Sequence, residues 1–317
     1  MLDWIASLIR AVSFTRQVLS KKITCFSFST GVDPRSPTCH SLHYQDREYA
    51  RRPPAHSPII VYVASLIVAI ITAAASIIGL LYQTTIYPTE ELRQAFVAND
   101  LVNLVIGLPI LLGSMWLARR GRLVGLLFWP GALFFVFYNA VAYVFALPPN
   151  VAFLLNLLLL VVSGYTMIAV IATVDVQAIG HRLTGVVPER MAAGVLLVLG
   201  ILFAFRTIGI LVEALLNQTP VIITERALHV ADLMIAPAWV IGGCLLWRRR
   251  ALGYVMGVGL LFQASMLFVG VIAVLLVQPL LTTAPLRAGD ILVLAIMGLV
   301  CFIPFALFVR GVVSREK

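Results

Sequence analysis

The chain is short of charge. Only 12% of its 317 residues are Asp, Glu, Lys or Arg, about half the share of an ordinary soluble domain. Residues of the AVILMFWYC set make up 61%, and mean hydropathy is +1.00. A soluble protein of this length must cover its surface with polar side chains, and this composition has too few. Intrinsic disorder fails for the same reason, because disordered chains are poor in apolar residues. Four cysteines, Cys25, Cys39, Cys244 and Cys301, form no C-x-x-C pair, and two lie in apolar runs. Neither a disulfide framework nor a zinc module is implied. Beyond residue 57 only His181 and His229 remain, too few for a His-rich zinc site. G-x-S-x-G, H-E-x-x-H, Walker A and G-x-G-x-x-G are absent, which removes the signatures of common hydrolase and nucleotide chemistry.

What is present is a series of apolar runs. From Pro58 onward eight of them are long enough to cross a hydrocarbon core of about 30 Å: 59–82, 100–118, 123–147, 151–174, 191–216, 229–247, 252–278 and 290–310. Helices of that length with no polar face need lipid around them. The expected fold is therefore all-α, a polytopic membrane bundle of eight transmembrane helices. Pro148-Pro149-Asn150 is so short a link that spans three and four must form an antiparallel hairpin.

The formal net charge of +9 marks topology, not nucleic-acid binding. Eleven basic residues, among them Arg119, Arg120, Arg122 and Arg248 to Arg250, fall on one side of the expected bundle. Arg93, Arg226 and Arg287 fall on the other. The positive-inside bias places both termini in the cytoplasm, most simply of a plasma-membrane protein. Residues 1–57 differ in kind: they hold 8 of the 23 basic residues and three of the five His. They read as a polar, unstructured cytoplasmic tail, with residues 2–19 spaced as a short interfacial helix. Arg10 and Arg16 interrupt any signal-peptide core.

The chain also resembles itself. "LLYQT" (80–84) and "LLNQT" (215–219) each close a span, followed by "TEELRQAFVANDL" (89–101) and "TERALHVADL" (224–233). Each pair leads to a helix ending in an arginine cluster. The expected domains are two four-helix repeats, 58–180 and 181–317. An even number of helices per repeat makes them parallel, with a pseudo-twofold axis along the membrane normal.

An ionisable side chain deep in a bilayer costs several kcal/mol and needs a reason. Arg206 sits about ten residues inside span five, with Glu213 seven residues on. Helical side chains lean toward the N-terminus, so Arg206 points away from Glu213 and needs another partner. Asn139 and Tyr138 on span three, Asn156 on span four and Gln263 on span seven are polar at similar depth. Asp100 and Asn103 open span two, and His229 and Asp232 open span six, each pair at i, i+3. Helix capping accounts for the aspartates by itself. The alternative is that they line the mouth of a central cavity. The candidate ligand-binding set is Arg206, Glu213, Asp100, Asn103, Asn139, His229 and Asp232, with no catalytic residue, metal or cofactor assigned. The partners expected are the lipid bilayer and a small polar or anionic solute, with no nucleic acid; a homo-oligomer is compatible with this sequence. Three functions compete: a solute binder or transporter, a membrane-embedded enzyme acting on a lipid or isoprenoid, and a scaffold subunit. An enzyme needs acid–base groups converging on one substrate, whereas a scaffold needs Arg206 locked by protein groups.

Overall fold

In a computed structural model, residues 58–314 are described; the expected N-terminal tail lies outside them. Eight helices are long and apolar enough to span a membrane: α1 (Pro58–Leu81), α2 (Glu90–Arg119), α3 (Leu123–Ala146), α4 (Val151–Thr173), α5 (Glu189–Asn217), α6 (Ile223–Trp247), α7 (Ala251–Leu281) and α8 (Ala288–Ser314). No strand occurs among the described residues. The chain is an all-helical, multi-pass integral membrane protein.

Two helix starts differ most from the hydropathy reading. Helix α2 begins at Glu90, not near 100, and α6 begins at Ile223, not 229. In α2, the Thr89 hydroxyl caps the helix by accepting from the Leu92 N–H, and Glu90 and Glu91 occupy the positive dipole end. These polar first turns protrude past the apolar stretch, so hydropathy alone misses them. Asp100, His229 and Asp232 consequently lie well inside their helices and cap nothing.

Helix α3 is the centre of the bundle, with 78% of its most apolar window buried. It packs on α2, α4, α6 and α7. Helices α1 to α4 close a ring, because α1 touches both α2 and α4. Helices α5 to α8 do likewise, since α5 packs along α6 and also meets α8. The two groups join chiefly through α3 against α6 and α7, and through α2 against α7. At the α3–α7 crossing Gly131 lies so close to Gly259 that a Cβ on Gly131 would collide with the Gly259 carbonyl. Small residues permit such backbone approach between membrane helices.

The α2–α3 and α6–α7 turns have the same backbone 128 residues apart. Gly121 (φ 73°) matches Arg249 (φ 53°), both left-handed. Gly121 N–H donates to the Ala118 carbonyl at 2.9 Å, and Arg249 N–H to Leu246 at 2.9 Å. Arg122 and Arg250 donate to Leu117 and Leu245 in the same pattern. Gly125 and Gly253 each press on those same preceding helix ends. Pro109 in α2 and Pro237 in α6 share this spacing. Before Pro109 the helix widens into a π turn over Asn103–Gly107, where the proline ring leaves carbonyls without their usual donors.

The stretch between α4 and α5 is docked on the bundle. Its short helix Val176–Leu183 buries Ile179 and Leu183, and Gly180 lies against Ala251. Glu189 is buried and accepts from Gly185 N–H (2.8 Å), Tyr254 Oη (2.6 Å) and Arg249 Nε (2.7 Å). This ties the link to the α6–α7 turn. The end of the bundle carrying these arginines is called the basic end below.

Candidate functional site

The sequence-derived candidates separate into two polar sites and one outlier. The first site is inside α1–α4. Asp100 of α2 is 2% exposed and accepts from Tyr87 Oη at 2.5 Å and from Tyr143 Oη at 2.8 Å. Its Oδ2 rests on Gly79 of α1, where any Cβ would displace it. Asn99 donates to Asn139 Oδ1 and to Tyr143 Oη, both at 3.2 Å. Asp100, Asn103, Asn139 and Asn156, with Thr72 and Ser76, line an enclosed chamber of about 10 Å³. That is room for about one water. The site is a polar core knit around Asp100, with space for nothing larger.

The second site is open. A cavity of about 320 Å³ lies among α3, α5, α6, α7 and α8, within the range of small-molecule pockets. Its charged groups are Arg206 from α5 and Glu225 and Asp232 from α6, with His229 beside them. Arg206 lies eleven residues before α5 ends at Asn217, about 16 Å along the axis. Arg206 Nη1 stands 3.8 Å from Asp232 Oδ2, close enough for charge contact but beyond hydrogen-bond range. The other Asp232 oxygen accepts from Tyr138 Oη at 3.0 Å. Asp232 is thus held, whereas the guanidinium makes no hydrogen bond to any described residue and its side chain is 58% exposed. His229 is buried and its Nδ1 has no partner among the described residues. It is one turn from Asp232 on the same face of α6, as the i, i+3 spacing requires.

The walls of this cavity are aromatic and aliphatic. Trp239 donates to Gln263 Oε1 at 2.8 Å and meets Phe203 edge-on, ring centroids 5.2 Å apart. Phe268 and Leu267 of α7 and Leu294 of α8 complete them. A neighbouring cavity of about 260 Å³ shares Tyr138, Leu228, Leu267 and Val271 and reaches Gln278 and Arg287 at the end opposite the arginines. Asn139 lines that cavity as well as the small chamber.

Glu213 is the outlier. It is exposed on α5, lines none of these cavities, and has no ion pair among the described residues. Arg206 instead finds its counter-charge on α6, as the N-terminal lean of helical side chains favours. Tyr87, Tyr143, Trp239 and Glu225 join the sites without having been singled out from sequence. Tyr143 lies four residues beyond Asn139 on α3, and this spacing was the one available signal. Among the described residues no three His, Cys, Asp or Glu side chains are grouped to hold a metal.

Eight apolar spans around these polar sites define the class, an integral membrane protein with an internal cavity. Comparison with protein-family models, curated proteins and solved structures finds no match to the chain.

Proposed function

We propose that the chain binds a small polar or anionic solute at Arg206 and passes it across the plasma membrane, with both termini cytoplasmic. The observation that carries this reading is the arginine itself. A guanidinium inside a membrane-spanning bundle, with one counter-charge at 3.8 Å and a cavity before it, has donors to offer a ligand. Arginine presents five N–H donors in a planar fork suited to carboxylate or phosphate oxygens. Unused, they would be a cost with no return. A scaffold role would call for that guanidinium to be capped by protein groups. A membrane enzyme would call for a second carboxylate beside Asp232; Glu213 is elsewhere, and Glu225 stands two turns away along α6.

Passage through the protein is supported by a doubled architecture. The matching turns 128 residues apart, the shared prolines and the Gly131–Gly259 crossing fit two parallel four-helix repeats meeting on a pseudo-twofold axis. Repeats of this kind place binding sites near their interface and alternate access by rocking. The test is the melting temperature of purified protein across a panel of organic anions and neutral polar solutes. A solute that stabilises wild type and Glu213→Gln but not Arg206→Ala supports the reading. A panel that stabilises none of the three, or all three alike, refutes it.

A further inference from the structure

The lining of the Arg206 cavity and the helices around it point to a more specific ligand. In α5 the last buried residue before the C-terminus is Thr207. In α8 the first is Gly298, and in α7 the last is Gly270. The three helices therefore pack tightly toward the basic end and carry no buried residue over 208–217, 288–297 and 271–281. Gly311 of α8 sits against Val186 and Val187 just ahead of α5, so α5 and α8 meet at the basic end. Toward the other end, their facing walls on the cavity are Ile210 and Leu294. The outer faces of the two helices here are apolar and exposed, with Phe205 at 71%, Leu292 at 62% and Ile296 at 58%. Outer faces of this kind lie against lipid, so an opening between α5 and α8 would give onto the bilayer.

Inside, the cation of Arg206, with the carboxylates of Asp232 and Glu225 on α6, lies among Phe203, Trp239, Leu267 and Phe268. A fully hydrated small anion would leave these walls unmatched, and a neutral hydrocarbon would leave the guanidinium unmatched. We propose that the ligand is an anionic single-chain amphiphile, a carboxylate on an acyl- or prenyl-type body, entering from the bilayer between α5 and α8. This rests on the solute reading above and narrows its ligand class. The anionic head docks on Arg206 beside Asp232, and the apolar body lies along the aromatic wall and out through the seam. Asp232, held by Tyr138, keeps the guanidinium aimed into the cavity and repels a second anionic group, which favours a singly charged head.

The probe is dodecanoate, with dodecanol, butyrate and inorganic phosphate as controls, added to the full chain in nanodiscs of zwitterionic lipid. Melting temperature is the readout. Dodecanoate is expected to raise it by several degrees and saturably. Dodecanol, butyrate and phosphate are expected to leave it unchanged. Arg206→Gln should abolish the response and Arg206→Lys should retain part of it. A response to butyrate or phosphate as large as that to dodecanoate, lost in Arg206→Gln, would overturn the amphiphile while leaving the solute reading intact. A dodecanoate response undiminished in Arg206→Gln would mark partitioning into the bilayer and overturn it too. Silence from every anion, together with a silent solute panel, would remove both.

Discussion

Helices α1–α4 and α5–α8 share one turn geometry and the same ring of neighbours but end differently away from the arginines. In the first group burial runs the full length: α1 from Val61 to Gly79, α4 from Ala152 to Val170. A plug made of Ile86, Tyr87, Leu92, Phe96, Tyr143 and Leu147 seals it, with the Asn150 amide donating to the Ile86 carbonyl at 3.1 Å. In the second group the link after α5 leaves Pro220 and Ile222 exposed. At the position 128 residues beyond Tyr143 stands Val271, which lines the Arg206 cavity. Each group also has one buried aspartate in its second helix. Asp100 is enclosed by two phenols, whereas Asp232 has one phenol and a half-free arginine. Under the two-repeat reading proposed above, the first group is the filled one and the second the open one.

The comparison fails at once if the two groups do not meet as described, so the α3–α7 crossing carries the largest expected effect. Gly131→Leu puts a side chain into the Gly259 carbonyl and the Phe262 ring. Overpacking against backbone costs about 3 kcal/mol or more, and the variant is expected to lose its monodisperse peak in size-exclusion chromatography. Gly209, which faces open space on α5, is the control: Gly209→Ala should elute as wild type. Equal behaviour of the two would mean that the glycine crossing holds nothing together.

Next in size is the contrast between the aspartates. Asp100→Ala leaves the buried Tyr87 and Tyr143 hydroxyls without their carboxylate acceptor, a loss of about 2–6 kcal/mol at about 1–3 per orphaned group. Asp232→Asn keeps an oxygen for Tyr138 and gives up only a contact at 3.8 Å to an arginine more than half exposed. No buried hydroxyl is orphaned, so the expected loss is the smaller of the two. Reversible unfolding in mixed micelles measures both. If Asp232→Asn proves the more damaging, the second group is the structural one and the assignment of roles reverses.

How far the sequence reaches is visible in the same residues. The eight spans are legible because lipid imposes length and apolarity on each helix separately. Arg206 is legible because a charge there is expensive wherever it points. The helix starts at Glu90 and Ile223 are not, because their first turns are charged and outside the apolar window. That error changes the meaning of Asp100 and Asp232 from caps to interior groups. Nor does the sequence reveal that Tyr87 folds back onto Asp100, thirteen residues away, while Glu213 turns out to face outward. Both depend on which neighbour a helix face meets, and an all-apolar helix has no polar face from which to read its orientation.

The smallest effect is the most pointed. If the second group is a first group with its filling removed, restoring the filling should both stabilise it and silence it. Val271→Tyr places at α7 the ring that Tyr143 supplies at the matching position of α3, directed into the cavity that Val271 lines. Filling an existing cavity with a compatible side chain typically gains about 0.5–2 kcal/mol, and the phenol has His229 Nδ1, otherwise without a partner, as a neighbour on the cavity wall. The melting temperature should rise by a few degrees, and the response to dodecanoate should disappear although Arg206 is untouched. A rise with the ligand response intact would place binding outside this cavity. A fall would mean that the space is maintained by rigid walls that tolerate no ring, and that its resemblance to the closed group ends at the turns.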